Sequence, residues 1–154
     1  MRFKAGFHHW KNRATGQSYW HYRAIGAAAY CDFDSGPGDH ITSYPGVDQP
    51  VPTIQWECHR EGIDDAKYAW TLELLIAKAL ASGDAKVKDA GGEASKLLER
   101  IRGEAHVDLH YYEDKYGDDL AFHYLSDWPP AKYDQSRRAI AEQIIKLLEA
   151  GVEQ

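Results

Sequence analysis

The sequence predicts a mixed α/β fold: one or two short strands at the N-terminal end, a long loop, and about three α-helices over residues 53–154. Three observations carry that prediction. Polar and apolar residues alternate through the first ten positions, four of the six prolines crowd into residues 34–53, and helical periodicity runs through much of the remainder. The 154 residues are 44% hydrophobic and 27% charged, with a mean hydropathy of −0.60, which suits one globular core and argues against wholesale disorder. No run approaches the roughly eighteen apolar residues of a membrane span.

Taken in order, Phe3, Ala5, Phe7 and His9 alternate with Arg2, Lys4 and His8, which reads as a strand ending near Trp10. Asn12 to Gly16 reads as a turn, and Tyr19 to Tyr30 as a possible second strand. From Asp34 to Thr53, prolines together with Gly36, Gly38 and Gly46 dictate an irregular loop or lid. A helix starts near Thr53 to Trp56 and ends at Ser82-Gly83. Counting 100° per residue puts its Trp56, Ile63, Trp70, Leu74 and Ala81 within about 40° of one another, so these residues are expected to form a wide buried stripe. Gly91-Gly92 is expected to open a shorter helix through Leu97, Leu98 and Ile101, with Gly103 as its terminator. Asp127 to Pro130 signals the start of a last helix, which runs to about Ala150 with Ile140, Ile144, Leu147 and Leu148 inward and Gly151 behind it. Periodicity leaves Glu104 to Ser126 open.

Charge narrows the partners. Eighteen basic against 24 acidic residues give a net charge of −6, the wrong sign for a protein that binds a nucleic-acid backbone through a basic surface. A small or neutral ligand suits the chain better. Cys31 and Cys58 form no CxxC pair, Arg2 and Lys4 are not followed by the apolar core of a secretory signal, and the compartment stays open. His8 and His9 would point to opposite faces of a strand, and no HxH or HExxH spacing occurs, so neither a metal nor another cofactor is expected.

Two features remain for chemistry. Ten of the 19 aromatic residues lie in the first 59 positions. Among them Trp10, Trp20, Tyr22 and Tyr44 offer planar faces for the C–H side of a sugar, with His8 and Asp39 as polar neighbours, although close-set aromatics equally serve as core packing. The second feature is Glu57, Arg60 and Asp64, which share one helix face, so the arginine sits between two acids. A guanidinium so occupied is read first as a structural network and second as a polyhydroxyl contact. Asp32, Asp34, Asp39 and Asp48 also lie in the loop, where aspartates ordinarily cap turns, and no catalytic residue is assigned.

The order Gly6-Phe7-His8-His9-Trp10, Tyr19-Trp20-His21-Tyr22, Tyr44-Pro45-Gly46, Pro52-Thr53-Ile54-Gln55-Trp56-Glu57, Arg60-Glu61-Gly62-Ile63-Asp64-Asp65 and Tyr68 resembles the C-terminal part of the glycoside hydrolase family 123 type of catalytic domain, most clearly over residues 6–75. The Arg-Glu-Gly-Ile-Asp-Asp run is its most specific part. The resemblance implies a single partial domain, the C-terminal fragment of a TIM-type (β/α) barrel: residues 1–52 would supply the last strand and its aromatic, Pro/Gly-rich loop, and residues 53–154 the closing helices. It implies an amino-sugar glycan as ligand, with Trp10 and the loop facing the pocket. It further implies retaining hexosaminidase chemistry, in which the substrate's acetamido group attacks with help from an Asp-Glu pair on an earlier strand. This chain has no Asp-Glu dipeptide, Gln55 stands where the family carries arginine, and Ala66 where it carries tyrosine. Alone, the chain would be inert and would leave an apolar stripe for the rest of the barrel, in cis, or for self-association to cover. A stand-alone helical module that binds a ligand or protein is the competing reading.

Overall fold

The computed structural model of the chain describes residues 2–16, 23–24, 40–41, 43–105 and 128–153. Two short helices, α1 (Arg2–Ala5) and α2 (Phe7–Lys11), open it. Strand β1 (Arg23–Ala24) pairs antiparallel with β2 (His40–Ile41), and β3 (Ser43–Tyr44) with β4 (Val51–Pro52). Three long helices follow: α3 (Ile54–Ala81), α4 (Ala85–Glu104) and α5 (Pro130–Glu149). The described residues are mostly helical with two small antiparallel ladders, and α3 is the central element, packed against α1, α2, α4 and α5.

Local chemistry sets the ends of the long helices. Thr53 caps α3, its Oγ1 accepting the Trp56 N–H at 3.2 Å, and Ser82 closes it. Pro130 occupies the first turn of α5, where no donor is needed. Behind that helix Gly151 takes a φ of +95°, and the N–H groups of Gly151 and Val152 return to the carbonyls of Leu148 and Leu147 at 3.0 Å. These ends agree with the sequence reading. The start of α4 does not: the helix begins at Ala85, capped by Asp84, whose Oδ1 accepts the Lys86 N–H at 2.8 Å, and runs straight through Gly91 and Gly92. A Cβ on Gly91 would stand 2.9 Å from the Ala79 Cβ. The glycine is therefore a crossing point between α4 and α3, not a helix opener.

The expected strand from Phe3 to Trp10 is helical instead. Phe3, Phe7 and Trp10 stand at i, i+4 and i+7, and all three are buried while His9 is only half-buried, so the helical period prevails over the alternation. Their rings build an aromatic centre with Trp128, whose ring centroid lies 5.2 Å from that of Phe7 and 6.0 Å from that of Phe3. The Trp128 Nε1–H donates to the Glu104 carbonyl at 2.9 Å. Helix α4 contributes Val87, Ala94, Leu98 and Ile101 to the same core, and α5 contributes Ile140 and Leu147.

The stripe expected to be buried on α3 is also corrected. Gly62, Asp65, Ala66, Ala69, Leu72, Ile76 and Ala79 face the core, whereas Trp56, Ile63, Leu74 and Ala81 are exposed, Leu74 to 67%, and Trp70 is half-buried. Four helices crowd onto α3, and close approach selects the face with small side chains over the face with large ones. The contact is tightest at Gly62, where an added Cβ would collide with the Arg2 carbonyl oxygen and stand 2.9 Å from the Ala5 Cβ. Nothing lies within 4 Å of a Cβ on Gly92. Gly62→Ala is therefore expected to destabilise the fold by about 1–3 kcal/mol, while Gly92→Ala stabilises it by up to about 1 kcal/mol through helix propensity. Urea melts of the two variants check this contrast of sign.

Candidate functional site

The Arg60 to Asp65 run of α3 meets both the opening segment, at Arg2, and α5, at Arg137. Helical spacing turns Gly62 and Asp65 inward, leaves Glu61 at the edge and points Arg60 outward. Asp65 is fully buried. The Arg2 Nε donates to its Oδ2 at 2.7 Å and Arg2 Nη2 to Oδ1 at 3.1 Å, while Arg137 Nε on α5 donates to Oδ1 at 2.6 Å. Arg137 also donates through Nη1 to Glu61 Oε2 and through Nη2 to the Glu61 carbonyl, both at 2.7 Å. Arg2 reaches Asp134 at 2.8 Å and lies over the Tyr133 ring at 5.1 Å. Burial works against the Arg2 cation, but hydrogen bonds to Asp65 and Asp134 outweigh it and hold its pKa above the ordinary arginine value. The Arg137 pKa is likewise raised: burial opposes its charge, and hydrogen bonds to Asp65 and Glu61 overcome it.

The network expected around Arg60 exists, but on the surface. Arg60 Nε lies 2.8 Å from Glu57 Oε2 and Nη2 2.9 Å from Glu61 Oε1, with Asp64 farther off at 3.9 Å and the arginine side chain 56% exposed. Water screens such pairs, so the structural weight sits one residue beyond the expected triad, at Asp65. One signal in the sequence pointed there: Asp65 shares its helix face with Gly62, Ala66 and Ala69, and an acid in a line of small residues calls for a buried cation. Arg2 and Arg137 carry no local signal, lying 63 and 72 residues away.

No family model matches this chain, and no curated protein or solved structure does. Trp10 is wholly buried, edge-on to Phe7 at 6.5 Å and beneath the Arg102 guanidinium, which lies 4.6 Å from its ring centroid. It presents no open face to a sugar and serves as core. His8 is half-buried and stacks at a tilt on Phe3 at 5.6 Å. Tyr44 is half-buried in β3. Trp20, Tyr22 and Asp39 lie outside the described residues, as do Cys31 and most of the 104–126 segment. Among the described residues no group of three His, Cys, Asp or Glu side chains has the geometry to hold a metal ion.

Asp65→Asn would leave Arg2 and Arg137 facing each other without their shared carboxylate, so a loss of about 3–5 kcal/mol in urea unfolding is expected. Arg60→Ala should leave the melting temperature unchanged. The pH dependence follows from His8 and His59. Burial, then Lys11, Lys4 and His9, lowers the His8 pKa below 6.5, and burial with neighbouring positive charge lowers that of His59. The unfolded chain therefore binds these protons first, and their contribution to stability is complete above pH 6.5 and lost as the pH falls through the lowered values. Melting temperatures measured across that window should decline on acidification, and less steeply in a His8→Gln, His59→Gln double variant.

Proposed function

We propose that this chain is the C-terminal, helical closing portion of a glycoside hydrolase-like, hexosaminidase-type barrel, non-catalytic on its own. The observation that carries the reading is the use made of the Arg60 to Asp65 run, the most specific part of the resemblance. Gly62 admits the opening segment against α3, Glu61 and Asp65 receive α5 through Arg137, and Asp65 receives the opening segment through Arg2. These tasks are structural, as a closing segment requires, and none leaves a carboxylate of the run free in the way that glycosidic bond cleavage needs. The exposed line Trp56, Ile63 and Leu74 on the outer face of α3 supplies the apolar surface that such a segment turns toward the rest of its domain.

A second reading, a stand-alone helical ligand- or protein-binding module without catalysis, is favoured by the helical conformation of residues 3–10, which leaves no strand there to complete a barrel. The two differ in what covers α3: the remainder of a longer chain in the first, a separate molecule in the second. An antibody against this chain tests them on the native product. A polypeptide well above 17.4 kDa is expected, with N-acetylhexosaminide hydrolysis in the immunoprecipitate and none by the recombinant 154-residue chain. A native product of 17.4 kDa would overturn the first reading in favour of the second.

A further inference from the structure

A cleft of about 280 Å³ opens between the end of α2, α3 and α4. Its polar wall is made by Arg13, Glu73, Ser95, Glu99 and Arg102. Ile76 and Leu98, both buried, close the apolar side. Arg102 donates through Nη2 to Glu73 and lies over Trp10, and its Nε is buried with no hydrogen-bond partner among the described residues. Glu99 has a single contact among the described residues, with the Ser95 hydroxyl at 3.5 Å. Arg13 has no ion pair among the described residues, and it holds a φ of +53° just past α2, a left-handed conformation usually left to glycine or asparagine.

We infer that this cleft binds one ring of a neutral, polyhydroxylated sugar. Two guanidinium groups and two carboxylates give the wall no net charge, so an anion meets Glu73 and Glu99, and a cation meets Arg13 and Arg102. A purely apolar ligand would strip water from Arg13 and Glu99 without replacing it. Vicinal hydroxyls do replace it, accepting from the Arg13 fork and donating to the Glu99 carboxylate, while the C–H face of the ring covers Ile76 and Leu98. A free zwitterion such as glycine matches the charges only, and at exposed groups that attraction is screened. The volume, about 280 Å³, falls just below the roughly 300–1,000 Å³ typical of small-molecule sites, room for a monosaccharide unit and not for a chain. The inference shares its ligand class with the proposed function but rests on different residues.

Nitrogen-15 spectra that report the arginine Nε–H groups, recorded on the whole chain during titration with glucose or N-acetylglucosamine, test it, with glycine and sodium phosphate as comparison ligands. A saturable shift of the Arg102 Nε–H signal with sugar, insensitive to added salt, is expected. Arg13→Ala and Glu99→Gln alter exposed side chains and should keep the wild-type melt, yet each should weaken sugar binding about tenfold. No saturable shift with either sugar, or binding of glycine or phosphate in place of sugar, overturns the assignment. Sugar binding that survives both substitutions also overturns this cleft, while leaving the proposed function standing.

Discussion

The Asp65 carboxylate is the point on which the arrangement of elements depends. It lies at the centre of the inner face of α3, fully buried, and both of its oxygens accept hydrogen bonds from guanidinium groups that arrive from opposite ends of the chain. A buried acid without cations would be displaced into water or protonated, so its presence in the core obliges Arg2 and Arg137 to be there too. Their presence fixes where α1 and α5 sit against α3. Apolar packing alone would tolerate sliding of these helices, whereas hydrogen bonds of 2.6–3.1 Å do not.

The small residues around that carboxylate are its geometric counterpart. Guanidinium groups reach Asp65 only if α1 and α5 lie close to α3, and Gly62, Ala66 and Ala69 provide that closeness. Gly6 answers Gly62 from the other side, since a Cβ on it would stand 2.9 Å from the Gly62 carbonyl oxygen and 3.2 Å from the Asp65 Cβ. The ionic clamp and the glycine contact therefore enforce each other. Farther along the same face Leu72, Ile76 and Ala79 belong to the apolar core, and Ala79 faces Gly91 on α4.

The ends of α3 and α5 were legible in the sequence because they are set by local chemistry: the Thr53 cap, the Ser82-Gly83 stop, the proline at the start of α5 and the positive φ of Gly151; those of α4 were not, since its glycines lie inside the helix. The face of α3 was not legible. That helix carries two apolar lines about 160° apart, and periodicity weighs the large side chains of Trp56, Ile63 and Leu74 above the small ones that close packing selects. The opening segment failed for a related reason: over ten residues the spacing of Phe3, Phe7 and Trp10 satisfies a helix while Phe3, Ala5 and Phe7 satisfy a strand, and only the long-range contacts to Trp128 and Asp65 decide. Of the expected site residues, the Glu57, Arg60 and Asp64 group is a cluster whose spacings are all local, whereas the cations that make Asp65 a clamp are 63 and 72 residues away in sequence.

The aromatic residues divide along the same line between interior and surface. Trp10 and Trp128 lie inside, where the Trp128 N–H has found the Glu104 carbonyl and the Trp10 N–H has no partner among the described residues. An unpaired buried donor costs about 1–3 kcal/mol, and the Arg102 cation on the Trp10 face offsets part of that by attraction to the ring. Arg102 thus joins the core on one side and the sugar-sized cleft on the other. It ties the shape of the cleft to the packing of α2 against α4, so a ligand that engages Arg102 acts directly on the seam between the opening segment and the helices.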